Sequence, residues 1–142
     1  MSEQNFKNHA RFVTGYHFIT STVLLAVIIG SFVNLYHATP ENHYSAALIS
    51  VISLLLIPFY WYMRVFALKA QDRAIRAEEG LRHLILTGKP LPSALRMGQI
   101  IALRFASDEE FPSLVGRAVN ENLSSVDIKK AIQNWRADNY RA

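Results

Sequence analysis

The sequence predicts an all-α protein: a transmembrane helical hairpin followed by a small cytoplasmic helical domain. Three observations predict it. Residues Phe12 to Pro40 and Asn42 to Met63 contain no Asp, Glu, Lys or Arg, and each stretch exceeds the ~20 apolar residues that cross a bilayer's hydrocarbon core. Charge returns abruptly at Arg64 and continues to the end of the sequence. In that charged half, apolar residues recur at helical spacings of three and four.

Residues 1–15 are expected to form a cytoplasmic N-terminal segment, 16–68 the hairpin, with spans 16–36 and 44–68, and 69–142 the cytoplasmic helical region. A helix satisfies its own backbone polar groups, which lipid cannot do for it. Aromatic rings favour the headgroup level. They gather at Phe12, Tyr16 and Phe18, at Tyr36 and Tyr44, and at Phe59 to Tyr62. Two buried helices of a soluble protein would rarely run so far without a charge. A signal peptide is the other alternative, because Lys7 and Arg11 resemble its basic start, but the apolar run is too long and no small-residue cleavage site closes it. Lys7 and Arg11 precede the first span, Arg64, Lys69, Arg73 and Arg76 follow the second, and His37 to His43 holds no Lys or Arg. The positive-inside rule then puts both termini in the cytoplasm.

Within the second span Pro58 lacks an N–H and crowds the carbonyl of Leu54, so a bend is expected there. Small and polar side chains, Gly30, Ser31 and Asn34 on the first span and Ala46, Ala47, Ser50 and Ser53 on the second, let helix backbones approach closely. Gly30, Ser31, Asn34, Ala46, Ser50 and Ser53 are the candidate helix–helix contact, within the hairpin or with another subunit.

Four helices account for the rest. The first continues the second span as one rod, with a stripe of Ala70, Ala74, Ala77, Leu81, Leu84 and Ile85, and stops at Gly88 and Pro90. Ser93 is expected to cap a second helix carrying Leu95, Ile100, Ile101, Leu103 and Phe105. A third carries Phe111, Leu114, Val115, Ala118 and Val119. Its start is either a capping box of Ser107 and Glu110 or a first turn holding Pro112. The fourth begins at Ser125, capped by Ser124, and runs through Ile128, Ala131, Ile132 and Trp135. Three short amphipathic helices make a thin core that needs bracing by the rod, the membrane or a partner.

Chemistry-bearing motifs are sparse. With Cys 0 and five histidines, thiolate metal sites are excluded and no HExxH is present. A membrane haem needs histidines at one depth on facing helices, whereas His17 has no inner counterpart on the second span and His37 and His43 sit in or beside the short connection. Asp108, Glu109 and Glu110 are explained by capping and the helix dipole. No GxGxxG, Walker lysine loop, GxSxG elbow or serine–lysine arrangement occurs. Arg64, Lys69, Arg73 and Arg76 form a juxtamembrane basic cluster able to attract anionic lipid headgroups. Lys129, Lys130 and Arg136 carry charge near Trp135, but the helical period turns Trp135 inward with Ile128 and Ile132, against nucleic-acid binding. Residues 69–142 hold 12 basic and 9 acidic residues, +3 of the chain's formal +4.

At Gln4-Asn5-Phe6-Lys7-Asn8-His9, at Ala102-Leu103-Arg104-Phe105-Ala106-Ser107-Asp108-Glu109-Glu110-Phe111 and at Ile128-Lys129-Lys130-Ala131-Ile132-Gln133-Asn134-Trp135-Arg136, the chain resembles an uncharacterised family, a domain of unknown function, of small bacterial two-span membrane proteins. The resemblance covers essentially the whole chain. It implies a bacterial inner-membrane location and carries no catalytic residues. The expectation is a non-catalytic accessory or assembly subunit with no cofactor and no metal, partnered by membrane lipids and by other membrane subunits or copies of itself. The alternatives are a small redox component or enzyme using histidines, or a lipid-responsive anchor.

Overall fold

A computed structural model describes residues 5–6 and 13–138. Lys7, Arg11, the Phe12 ring and all of the N-terminal motif except Asn5 and Phe6 lie outside the described residues. The fold is all-helical: a π-helical turn Gly15–Thr20, then α1 Ser21–Tyr36, α2 His43–Thr87, α3 Met97–Leu103, α4 Phe111–Asn120 and α5 Ser125–Ala131. The described residues of 12–67 make one compact unit, and those of 68–142, with Asn5 and Phe6, make the other.

In the first unit two apolar helical stretches, Gly15–Tyr36 and the beginning of α2, are long and apolar enough to cross a membrane. Their outer faces carry exposed Val23, Leu25, Ile29, Ile52, Leu55 and Trp61. Monomeric soluble proteins rarely expose large contiguous apolar patches. The helix α2 is unbroken for 45 residues and carries Pro58 inside it.

The second unit begins on α2 and is closed by three short helices. Gly88 stops α2: it takes φ +70° and its N–H donates to the Leu84 carbonyl at 2.8 Å, a left-handed stop that glycine adopts without a Cβ penalty. His83 then donates Nδ1–H to the Lys89 carbonyl at 2.9 Å, fastening the reversal. Contrary to the sequence expectation, Ser93 does not cap α3; it lies exposed in a turn, and the helix starts at Met97. Gln99 replaces it as the organising residue. Its Oε1 accepts the Arg96 N–H at 2.8 Å, while its Nε2 donates to the carbonyls of Ala118 at 3.2 Å and Leu123 at 2.9 Å. A buried amide with every group paired holds three chain segments in register.

For α4 both sequence alternatives describe part of the truth. Pro112 occupies the first turn of the helix, where its missing N–H costs nothing, and Glu110 still reaches back to the Ser107 N–H at 3.2 Å. Asn122, at φ +48°, ends α4, with Leu123 N–H returning to the Ala118 carbonyl at 3.2 Å. Ser124 caps α5 as the sequence predicts, accepting the Asp127 N–H at 3.1 Å. The expected last helix is too long, however. It stops at Ala131, Ile132 is extended at ψ 123°, and Trp135 forms an antiparallel bridge with Ala106. Phe105, expected on the preceding helix, falls in the turn after α3 and packs on Trp135 with centroids 5.1 Å apart and planes tilted by 33°. The core is Ile100, Leu103, Phe105, Phe111, Val115 and Ile128, each at most 2 % exposed, with Ile75 of α2 joined to it.

Candidate functional site

Small side chains bring α1 and the first part of α2 together. Ser31, Ala46, Ser50 and Ser53 are buried. The Ser31 and Ser53 hydroxyls meet at 2.9 Å, and Ser50 donates to the Ser31 carbonyl at 3.1 Å as well as to its own helix at Ala46. Gly30 and Asn34, expected to share this contact, are exposed, and a Cβ on Gly30 would meet nothing within 4 Å. The helical phase explains the split: Ser31 faces α2, and its neighbour one residue earlier is turned by about 100°.

A second polar cluster closes the other end of the hairpin and was not legible in the sequence. Tyr16 and Tyr60 stack with centroids 4.4 Å apart and planes 4° from parallel. The Tyr16 hydroxyl donates to the Tyr60 carbonyl at 2.6 Å, and the Tyr60 hydroxyl lies 2.7 Å from Ser21 Oγ and 3.1 Å from the Tyr16 carbonyl. The π-helical turn supplies one of these acceptors, the Tyr16 carbonyl, and Thr20 uses another of its carbonyls, donating to Gly15 at 2.9 Å. Arg64 sits with its guanidinium 5.9 Å from the Tyr16 centroid. Of the basic cluster, Arg64 is half-buried, whereas Lys69, Arg73 and Arg76 are exposed along α2.

Several titratable residues of the second unit hold it together. Arg82 donates to Glu79 at 3.0 Å, to Asp108 at 2.7 Å and to the Ala106 carbonyl at 2.7 Å. Its guanidinium lies 4.3 Å from the Phe111 centroid. Glu110 accepts the N–H groups of Ser107, Gln133 and Asn134 at 3.1 to 3.2 Å, so the third member of the acidic run fastens the segment after α5 to the start of α4. Arg104 pairs with Asp138 at 3.2 Å. Glu109 is exposed at the rim of an open cavity of about 660 Å³ that Asp108, Trp135 and Arg136 also line.

The histidines are dispersed. His17 sits at the π-helical turn against the Tyr16 ring edge, His37 against Tyr36, His43 at the first residue of α2 and exposed, and His83 is buried beside Phe111. Among the described residues no group of three His, Cys, Asp or Glu side chains is placed to hold a metal ion.

The largest surprise is which side of α2 the small domain uses. Ile75, Glu79 and His83 are buried and Arg82 nearly so, whereas the whole apolar stripe of Ala70, Ala74, Ala77, Leu81, Leu84 and Ile85 is exposed. Leu81 is 59 %, Leu84 46 % and Ile85 73 % exposed. A mixed face goes inward because its polar groups are hydrogen-bonded there, which removes the penalty of burying them. The purely apolar face is left over.

The chain belongs to a family that is described only as a family of unknown function (DUF6526), whose model matches residues 1–142. Neither the curated proteins nor the solved structures compared with it give a match.

Proposed function

We propose that this member of the DUF6526 family is a non-catalytic, two-span subunit of a bacterial inner-membrane assembly whose cytoplasmic domain docks a further subunit, another protein or a second copy of itself, through α2. The exposed stripe ending in Leu81, Leu84 and Ile85 carries the reading. Thirteen residues separate Leu68 from Leu81, about 20 Å of helix at 1.5 Å per residue, so in a spanning protein this face lies beyond the headgroups, in water. An apolar helix face in water marks an interaction site.

The charge distribution supports the orientation. Basic residues lie before the first span and after the second, and none lies in the connection between them, so both termini are cytoplasmic under the positive-inside rule. The hydroxyl pair of Ser31 with Ser53 and the bonds from the Tyr16 and Tyr60 hydroxyls to each other's carbonyl support the spanning state, since polar groups in hydrocarbon must find partners within the protein. Arg64, Lys69, Arg73 and Arg76 add attraction to anionic lipids of about 1 kcal/mol each near the surface. The bonds of Glu79, Asp108 and Glu110 support a structural role for these carboxylates.

The test is extraction of the tagged full-length protein from native membranes in mild detergent, followed by native sizing. An assembly larger than one chain that is lost in Leu81→Asp/Leu84→Asp is the expected result. A monomer for the unaltered protein would overturn the reading.

A further inference from the structure

We infer that the exposed stripe of α2 is the seam of a parallel, in-register homodimer, its occupant being the same stripe of a second copy. The inference rests on the membrane reading above, which fixes both copies in one orientation. Ala70, Ala74, Ala77, Leu81 and Leu84 follow one another at spacings of 4, 3, 4 and 3 residues. That is the 3.5-residue repeat of a coiled-coil seam, with Ala74 and Leu81 at a positions and Ala70, Ala77 and Leu84 at d positions. A helix packed on a soluble core shows a broader stripe and is covered by that core. Here all five are exposed, while Ile75, Glu79 and His83, on the opposite side of α2, hold the small domain.

Charge selects the occupant. In this register Arg73 is a g position and Glu78 is the e position of the following heptad. In a parallel dimer the g residue of one chain meets the next e residue of the other, so Arg73 faces Glu78 of the second copy, twice by symmetry. Both side chains are exposed, and neither forms an ion pair within the chain among the described residues. Alanine at the upper seam positions lets the two helices approach closely, and Leu81, Leu84 and the flanking Ile85 supply the apolar bulk. So short a seam is marginal between free helices. Confinement of both hairpins to one membrane raises their effective concentration and offsets that weakness.

The chain has no native cysteine, so single cysteines report cleanly. Full-length A70C, A74C, A77C, L81C and L84C, oxidised in native membranes, are expected to give a disulfide-linked dimer at every position. K69C and R76C, exposed but off the seam, are expected to give none. On the A77C background, R73E and E78R are each expected to lower the dimer fraction several-fold, and R73E/E78R to restore it. An Arg73 that contacted only lipid would not be restored by E78R, and that outcome would overturn the pairing. Cross-linking only at mid-seam positions, as in an antiparallel pair, or cross-links to a different protein would overturn the homodimer. Alkaline carbonate is applied in parallel. Retention in the membrane without the seam pattern overturns the dimer alone, whereas release into the soluble fraction overturns the membrane reading whatever the cross-links show.

Discussion

The Arg82 guanidinium stacks 4.3 Å from the centre of the Phe111 ring while its edge is taken up by Glu79, Asp108 and the Ala106 carbonyl. One side chain of α2 thereby holds both ends of the turn between α3 and α4. Arg82 and Glu79 are only 9 % and 8 % exposed, so deleting either strands a charge in a poorly solvated place. Arg82→Ala is expected to destabilise the small domain by about 3 kcal/mol. Trp135 fluorescence during thermal unfolding, in a Trp61→Phe background, reads this directly. Arg82→Met/Glu79→Met, which removes both charges and keeps apolar bulk, is expected to recover much of the loss; no recovery would show that the ring stacking, not the charge balance, dominates.

Glu110 is a clamp, and its removal acts at a distance along the chain. In Glu110→Ala three N–H groups lose their acceptor. Gln133 and Asn134 are exposed enough for water to replace part of it, which places the cost near the low end of the range, about 1 kcal/mol. Amide exchange at Gln133 and Asn134 is expected to accelerate more than exchange at core amides such as Leu114. Uniform acceleration would contradict the clamp.

Ser53 separates size from polarity in the hairpin. Ser53→Ala removes one hydroxyl contact, worth about 0.6 kcal/mol between helices in a bilayer. Ser53→Leu forces bulk into a site 2 % exposed and is expected to cost about 1 to 3 kcal/mol. Titration with a denaturing detergent ranks the two, and equal effects would mean that the helices do not touch at Ser53.

Two glycines give opposite expectations. Gly80 lies inside α2 with open space at its Cβ, so Gly80→Ala is expected to stabilise by about 0.5 to 1 kcal/mol. Gly88 also has open space but sits at φ +70°, where a side chain costs about 1 to 2 kcal/mol. The melting temperature should rise in the first variant and fall in the second.

The sequence announced the two apolar helices, the continuation of α2 to Gly88 and the starts of α4 and α5, because charge-free length, glycine stops and caps are local signals. It misplaced α3 and α5 where a non-local bond outweighed a local one. Gln99, bonded across to Ala118 and Leu123, displaced Ser93, and the pairing of Ala106 with Trp135 pulled the chain out of helix after Ala131. It did not foresee that Ile75, Glu79 and His83 would be the buried face of α2, since apolar periodicity cannot count hydrogen bonds that form only in the fold. The small-residue contact was legible as a set, and the helical phase that keeps Ser31 and drops Gly30 was not. Tyr16 and Tyr60 were legible as interfacial aromatics, but their stacking and crossed hydroxyl bonds were not, because these depend on how the two helices meet.

The bonds that complete the small domain impose an order of events. Glu110 is closed by the amides of Gln133 and Asn134, and Phe105 by Trp135, residues that the ribosome makes after every helix of the domain. Domains fold in the order of their synthesis when they can, so the two apolar helices are complete while the domain still lacks its last strut. The long helices therefore precede the clasp that finishes the small domain. A nascent chain stalled before Gln133 is left with both apolar helices and an unfinished small domain.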